Sequence, residues 1–177
     1  FGEYVPFAIF DSFFSFFNFN RPNIVSSDNN VLINSKDINI SSAICYEIAY
    51  QDIFLKHGKR SNLLFNASND NWFGDTIGPY QHLQISRYRA AENRKPLIRS
   101  TSTGVSALID KFGNVIKSID IDNLEQKFSN SQQIESNIFT RSGHTPFITF
   151  GKWPSIFFIL IIIFGSFFNK MLRNEKN

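Results

Sequence analysis

The sequence lacks several features that mark common classes of protein. Its 177 residues include one cysteine, Cys45, which excludes an internal disulfide and any zinc finger built on cysteine pairs. The three histidines, His57, His82 and His144, share no spacing typical of metal ligands. The net charge is +3, but the 18 basic residues are scattered and form no block interleaved with aromatic side chains. We therefore expect no metal, no cofactor and no nucleic-acid partner.

A long apolar run near the C-terminus is the most prominent feature that the sequence does have. Residues Trp153–Phe168 carry no charge, and a helix continuing to Leu172 would reach about 30 Å, the thickness of a bilayer core. The alternative is a buried core helix, which the few residues that follow could not cover. Positive charges after the run predict that this end is cytoplasmic. Residues typical of membrane interfaces flank the run: Lys152, Trp153, Lys170, Arg173 and Lys176.

Between the ends of the chain, strand and helix patterns alternate. Longer segments predict helices at 47–58 and at 80–95, the second opened by Pro79. Short apolar runs predict strands at 37–44, 62–68, 96–101, 104–110 and 115–120. Polar and glycine-containing segments predict loops or irregular chain at 69–78, 110–114 and 120–137. The pattern therefore predicts an α/β domain with a mixed sheet, followed by the membrane helix.

Cys45 lies where the predicted strand 37–44 gives way to the predicted helix 47–58. A thiol on such a turn has the geometry of a nucleophile elbow, and the helix dipole favours its thiolate form. The backbone N–H groups of Cys45 and Tyr46 could then stabilise an oxyanion during acyl transfer. Glu47, in the first helical turn, suits the helix dipole and could also accept hydrogen bonds in the site. The alternative is that Cys45 is a small buried apolar residue.

Three other groups of residues have more than one interpretation. Trp72 and Phe73 lie in the predicted loop and either pack in the core or contact a lipid near the site. A Cys45–His82 dyad would be similar to that of cysteine proteases, but no spacing places this histidine near the thiol. The segment RYRAAENRK, at 87–95, is predicted to be a solvated helix face; the alternative is that Arg87 or Arg89 contacts phosphate head groups or internal carboxylates.

Five segments occur in an order that is typical of one family: FGEYVPF, CYE, NASNDNWFGD, RAAENRKPLIRSTSTGVSALID and FGNV. Together they resemble the C-terminal part of the apolipoprotein N-acyltransferases, which belong to the nitrilase (carbon–nitrogen hydrolase) superfamily. The resemblance covers nearly all of residues 1–168, and CYE beside NDNWFGD is quite specific. It implies part of a nitrilase-like αββα sandwich at 1–147, a transmembrane helix at 148–172 and a cytoplasmic tail at 173–177.

The resemblance also implies a chemistry and a location. Cys45 would be the nucleophile that takes an acyl chain from a phospholipid as a thioester, and the amino group of a lipoprotein's diacylglyceryl-cysteine would then receive it. Tyr46 would contribute its backbone N–H, and Glu3 and Glu47 would support the site. The catalytic domain would lie on the periplasmic side of the bacterial inner membrane. Its partners would be a phospholipid donor, a diacylated apolipoprotein acceptor and the membrane.

The sequence departs from the family pattern in ways that bear on activity. The family's general-base glutamate and triad lysine precede FGE and match no residue here. TST at 101–103 stands where the family more often has an asparagine after the threonine. We therefore expect a C-terminal fragment of a longer protein that is inactive alone. Two alternatives remain: a nitrilase-family amidase acting on a small soluble amide, which the apolar helix and FGEYVPF disfavour, and an inactive membrane-anchored remnant.

Overall fold

The structure is a computed structural model that describes residues 32–121 and 133–174, without the side chains of 120, 121 and 168–174. The predicted supporting residue Glu3 and the segment FGEYVPF lie outside the described residues, so the roles assigned to them stay predictions. Most of the polar segment predicted at 120–137 also lies outside them. Its described end, from 133 onward, has no regular secondary structure, as predicted.

A six-stranded mixed sheet organises the described chain. β2, β3 and β4 run parallel, while the outer strands pair antiparallel with their neighbours. The strands lie in sequence order: β1 (Ile33–Ser35), β2 (Ile38–Ile44), β3 (Leu63–Ser68), β4 (Leu97–Thr101), β5 (Gly104–Ile109) and β6 (Val115–Ile121). The five predicted strands and the mixed sheet are confirmed. β1 was not predicted, because three exposed residues are too short for a recognisable alternation of apolar side chains.

Two helices make the crossovers that the parallel strands require. α1 (Gln51–Gly58) connects β2 to β3, and α2 (Gly78–Asn93) connects β3 to β4. Pro79 lies in the first turn of α2, as predicted, where its missing N–H removes no intrahelical hydrogen bond. Two further helices follow the sheet, α3 (Pro146–Phe150) and α4 (Trp153–Asn174).

One face of the sheet packs against α1 and α2 and forms the core. The register aligns Leu64 of β3 with Leu97 of β4, and Leu97 with Ile109 of β5. Since side chains alternate along a strand, the next inward positions are those of Asn66 and Arg99, which are also paired. The apolar core therefore gives way to polar side chains toward the carboxyl ends of β3 and β4. The buried apolar cluster consists of Ala43, Ile48, Phe54, Leu64, Ala90, Leu97, Ala107 and Ile109.

The helix predicted at 47–58 is wrong in its first part. Residues Cys45–Ala49 form a 3₁₀ turn, Tyr50 is extended, and only then does α1 begin. The turn is tight because the Glu47 carboxylate accepts a hydrogen bond from the N–H of Ile44 at 2.7 Å. The Glu47 carbonyl also accepts one from the N–H of Tyr50 at 3.0 Å. The cysteine does follow a strand, as predicted, but it opens a short 3₁₀ turn and does not stand at the N-terminus of an α-helix, as the predicted dipole effect requires.

α3 and α4 follow a segment without regular secondary structure. Ile148 of α3 is 3% exposed, and this helix packs against α1 and α2. In α4 the described apolar side chains are exposed, including those of Phe157, Ile162 and Phe164. Within the described residues, no helix combines the length and the apolar character needed to cross a membrane. The segment predicted as a membrane helix at 148–172 is therefore helical over most of its length, but its span is not confirmed.

Lys95, predicted to lie on a solvated helix face, is instead buried. Its side chain is 1% exposed, and Nζ donates a hydrogen bond to the carbonyl of Gly58 at the end of α1. The reason is that the chain leaves α2 through Arg94, which has a left-handed φ of 53°, and turns at once into the central strand β4. Arg89 and Asn93 of the same segment are buried as well. Burial lowers the pKa of Lys95 from 10.5 to about 8.

The buried amino group of Lys95 predicts a pH dependence of folding stability. Its native pKa is about 8, whereas an unfolded lysine keeps its proton up to about pH 10.4. Between these values the unfolded state binds more protons, so the free energy of unfolding should rise with pH. Urea unfolding across this range should give a smaller rise for Lys95→Met than for the unmodified chain.

A second lysine provides the control for this prediction. Lys59 lies at the end of α1 and is exposed, so Lys59→Met should keep the pH slope of the unmodified chain. Equal slopes for Lys95→Met and the unmodified chain would contradict the assignment of the slope to Lys95.

Candidate active site

Cys45 follows β2 directly and has an unusual backbone conformation. Its φ is 50°, in the left-handed region that residues with a side chain rarely adopt. Such residues persist only where the surrounding structure holds them, and they concentrate at functional sites. Cys45 is partly exposed and makes no disulfide, so its side chain is not a fully buried core residue.

Two side chains reach the backbone carbonyl of Cys45. Asn66 of β3 donates from Nδ2 to this oxygen at 3.1 Å and to the carbonyl of Ala43 at 3.0 Å. His82 of α2 places Nε2 3.3 Å from the same Cys45 oxygen. The turn that carries the thiol is therefore tied to the next strand and to the helix that follows it.

Asp70 is the buried carboxylate of the site. It lies in a second 3₁₀ turn, Asp70–Phe73, and is 2% exposed. Its Oδ1 lies 2.9 Å from Nδ1 of His82 and accepts a hydrogen bond from Oγ of Ser68 at 2.8 Å. Its Oδ2 accepts one from Nη2 of Arg99 at 2.6 Å. Asp70 thus connects β3, α2 and β4 behind the thiol-bearing turn.

Arg99 is the buried cation of the site. Its side chain is fully buried, and Nη1 donates hydrogen bonds to Oδ1 of Asn66 and, at 3.4 Å, to Oγ of Ser86. Nε donates to the carbonyl of Val105 at 3.2 Å. Together with the bond to Asp70, these contacts satisfy a charge that would be costly to bury alone.

The pKa values of this pair reflect burial and mutual attraction. Burial alone would raise the pKa of Asp70, but the hydrogen bond with His82 and the charge of Arg99 outweigh it and hold that pKa below its usual value. Burial lowers the pKa of Arg99, while the charge of Asp70 and that of the Cys45 thiolate oppose the shift. The guanidinium therefore lies within electrostatic range of Cys45.

The other residues predicted around the thiol lie on the exposed side of the turn. Glu47 is exposed, and its carboxylate closes the turn through the N–H of Ile44. Tyr46 is 52% exposed, and its ring centroid lies 5.8 Å from that of His82. Glu47 therefore shapes the turn that holds Cys45, and Tyr46 follows the thiol directly in that turn.

Trp72 and Phe73 occupy different surroundings although they are adjacent in sequence. The ring of Phe73 lies 5.8 Å from that of His82 at an interplanar angle of 66°, so Phe73 packs at the site. Trp72 is 91% exposed, which excludes the alternative that it packs in the core. Further exposed apolar side chains near these turns are those of Ile44, Tyr46, Tyr50, Ile77 and Tyr80.

Sequence reasoning missed the buried network that Asn66, Asp70, His82 and Arg99 form. It considered a Cys45–His82 dyad, but His82 contacts the backbone carbonyl of Cys45, and no described hydrogen bond joins its ring to the thiol. A signal was present in the strands, because Asn66 and Arg99 occupy inward positions of apolar runs, where an unpaired polar side chain would be costly. Within the described residues, no cluster of His, Cys, Asp and Glu could hold a metal ion.

The buried ion pair predicts a large stability loss when its anion is removed. Asp70→Asn leaves the Arg99 charge without a counterion, so the free energy of unfolding should fall by about 3–5 kcal/mol. Asp75→Asn, at an exposed position, is the control and should change it by less than about 0.5 kcal/mol. Urea unfolding at neutral pH measures both variants, and equal effects would contradict a structural role for the pair.

The chain is similar to one family of known proteins. The model of the carbon-nitrogen hydrolase family matches residues 11–125. The apolipoprotein N-acyltransferase of Photobacterium profundum is 36% identical over 167 residues, which are 90% of this chain and 30% of that protein. The apolipoprotein N-acyltransferase of Wigglesworthia glossinidia brevipalpis is 38% identical over 136 residues, which are 76% of this chain and 26% of that protein.

A solved structure and the lengths of the relatives complete the comparison. Saccharomyces cerevisiae Nit3, a member of branch 10 of the nitrilase superfamily, has a TM-score of 0.47 and 15% identity, over 55% of this chain and 39% of that one. This score is too low for a residue-by-residue correspondence. The chain spans only 26–34% of the curated relatives it matches. Since the family model covers more than half of the chain, the chain belongs to the carbon–nitrogen hydrolase family, and it resembles the C-terminal part of the apolipoprotein N-acyltransferases.

Proposed function

We propose that this chain is the nucleophile-bearing part of an apolipoprotein N-acyltransferase, and that Cys45 carries the acyl chain as a thioester. The observation that carries the proposal is the geometry of Cys45, the single thiol of the chain, at a left-handed turn that ends a parallel strand. The partial exposure of this thiol supports the proposal, because a nucleophile must be accessible to its substrate. The similarity to N-acyltransferases over most of the chain supports the same assignment.

The reaction takes place in two acyl transfers. The Cys45 thiolate attacks an ester carbonyl of a phospholipid, the carbon–oxygen bond breaks, and a lysophospholipid leaves with a proton on its oxygen. The amino group of a diacylglyceryl-cysteine then attacks the thioester, the carbon–sulfur bond breaks, and the amide forms as the amine loses a proton and the thiol is regenerated. One difficult transfer is thereby divided into two easier steps.

The neighbouring residues have supporting roles in this proposal. The backbone N–H groups of Cys45 and Tyr46 stabilise the oxyanion that forms in each transfer. Glu47 supports the site by closing the turn through the N–H of Ile44. Glu3 is a further supporting residue, on the resemblance of FGEYVPF to the family. The roles of the family's general base and triad lysine are assigned to no residue of this chain.

The exposed apolar side chains of the Cys45 turn and of the chain at 72–77 suit a lipid donor. Trp72 is 91% exposed and Ile77 is 67% exposed, and Tyr46 packs edge-on against Tyr50 at a centroid distance of 6.3 Å. The two turns meet at His82, which contacts the rings of both Tyr46 and Phe73. Exposed apolar side chains on them can be covered by acyl chains, whereas a small soluble amide would leave most of them in water. We therefore favour a phospholipid donor over an amide substrate.

We also propose that α4 anchors the chain in the bacterial inner membrane, with the catalytic part on the periplasmic side. The exposed apolar side chains of Phe157, Ile162 and Phe164 support membrane contact. The proposed span, Trp153–Leu172, continues past the last described side chain at Phe167. Basic residues beyond it favour a cytoplasmic C-terminus.

The thioester can be tested in a chimera. Residues 1–177 would replace the matching C-terminal part of the Photobacterium profundum relative, which supplies the upstream glutamate and lysine expected of the family. With phospholipid and no acceptor, intact-mass analysis should find one acyl chain on the protein that neutral hydroxylamine removes. Cys45→Ala should abolish both the adduct and transfer to a diacylated lipopeptide, because no other cysteine of this chain can replace it.

The outcomes of the chimera test separate the alternatives. Acyl transfer with an unmodified Cys45 would refute the thioester, and amide hydrolysis without lysophospholipid would favour an amidase. The 177-residue chain alone should show no measurable transfer, because a thiolate without a general base and its lysine lacks the usual activation. Turnover by the isolated chain would show that its own residues suffice.

The membrane anchor can be tested with reporters. A reporter that is active only in the cytoplasm should be active when it is fused after Asn177. A reporter that is active only in the periplasm should be inactive at the same position. Deletion of 153–177 should release the rest of the chain from the membrane fraction. Periplasmic reporter activity after Asn177 would contradict the proposed topology.

A further inference from the structure

We propose that Asn66 and His82, held in place by the buried Asp70–Arg99 pair, are positioning residues that fix the nucleophile through its own backbone carbonyl. The inference rests on the proposed role of Cys45 as nucleophile. In this arrangement the network does not deliver a proton to the thiol. It holds the Cys45 peptide in its left-handed conformation, and that conformation determines where the thiol lies.

The first argument is the conformational cost at Cys45. A left-handed conformation costs a residue with a side chain roughly 1–2 kcal/mol, so the φ of 50° needs local interactions to offset it. The contact between Glu47 and Ile44 closes the turn from within. From outside the turn, the two described side chains that reach the Cys45 carbonyl are Asn66 at 3.1 Å and His82 at 3.3 Å.

The second argument is that the hydrogen-bond donors and acceptors around Asn66 and His82 determine how these two side chains are oriented. Arg99 has only donors, and it donates to Oδ1 of Asn66, so the amide nitrogen must face the carbonyls of Ala43 and Cys45. The Cys45 carbonyl is only an acceptor, so Nε2 of His82 must carry the proton of that contact. With that proton on Nε2, Nδ1 can accept a hydrogen bond from Nη2 of Arg99 at 3.1 Å, beside Oδ1 of Asp70 at 2.9 Å, and these two partners prevent the ring from turning.

The third argument is that the network is closed to water. Asp70, His82 and Arg99 are each 2% exposed or less. The backbone at Gly104 lies so close that an added Cβ would be 2.7 Å from Oδ2 of Asp70, and its φ of 84° also disfavours any other residue. Hydrogen bonds in such a site are stronger than in water, and their geometry is rigid. The Cys45 carbonyl is therefore held by fixed donors rather than by exchanging solvent.

The alternative is that His82 only fills and stabilises the core. The variants His82→Asn and His82→Gln separate a structural role from a positioning role. The amide nitrogen of asparagine can replace Nδ1 of the imidazole ring, and the amide nitrogen of glutamine can replace Nε2. His82→Asn can keep the contact with Asp70 but cannot reach the Cys45 carbonyl. His82→Gln can keep the contact with that carbonyl. His57→Asn is the matched control at another buried histidine, whose ring nitrogens have no partner among the described residues.

The single cysteine makes the measurement direct. Labelling the 177-residue chain with cysteine carrying ¹³C at the carbonyl gives one resonance, that of Cys45. Loss of a hydrogen bond should move this resonance upfield in His82→Asn, and it should stay in place in His82→Gln and His57→Asn. Alkylation of the thiol by iodoacetamide should change several-fold in His82→Asn alone, because the Cys45 peptide, and with it the thiol, leaves the position that the Cys45 carbonyl contacts fix.

Each result either supports or overturns the inference. An unmoved carbonyl resonance in folded His82→Asn would overturn it, as would equal shifts in the Asn and Gln variants. Loss of folding in both variants would assign the ring a purely structural role and would overturn it as well. Neither measurement uses acyl transfer, so a negative result here leaves the thioester standing, and a failed thioester leaves this result standing.

Discussion

The buried ion pair between Arg99 and Asp70 is the interaction on which the rest of the site depends. Its atoms lie 2.6 Å apart, and both side chains are fully buried. Removing two charges from water is costly, and the cost is offset only when their remaining donors and acceptors are also satisfied. Asn66, His82 and Ser68 supply those partners. Two of them, Asn66 and His82, then reach the turn that carries Cys45.

The core and the site are parts of one layer of side chains. Leu64 and Asn66 point from β3 into the same face of the sheet, and Leu97 and Arg99 do so from β4. The apolar half of this layer drives the packing of α1 and α2, and the polar half begins where the strands end. The carboxyl edge of parallel strands is therefore both the boundary of the core and the place of the thiol.

Most of the fold could be predicted from the sequence, because it depends on local patterns. Short apolar runs indicated the five predicted strands, and Pro79 marked the start of α2. The elbow at Cys45 could be predicted from the junction of a strand and a helix, but the 3₁₀ turn could not, because it depends on where the Glu47 carboxylate binds. Lys95 was misassigned because charge indicates exposure on average, and here the left-handed exit from α2 overrides it.

The network itself could not be predicted from one sequence, because its contacts join distant residues. The Glu47–Ile44 contact that closes the Cys45 turn spans three positions, whereas Arg99 and Asp70 are 29 positions apart and His82 lies 37 positions from Cys45. Bringing such distant residues together costs conformational entropy of the chain, and only the packing of the helices and strands that carry them offsets this cost. During folding, the short turn can therefore form early, but the thiol reaches its final setting only after β3, α2 and β4 have assembled. In a partly folded chain the Cys45 peptide would then be free to leave the left-handed region, and the thiol would be fixed in place last, together with the native state.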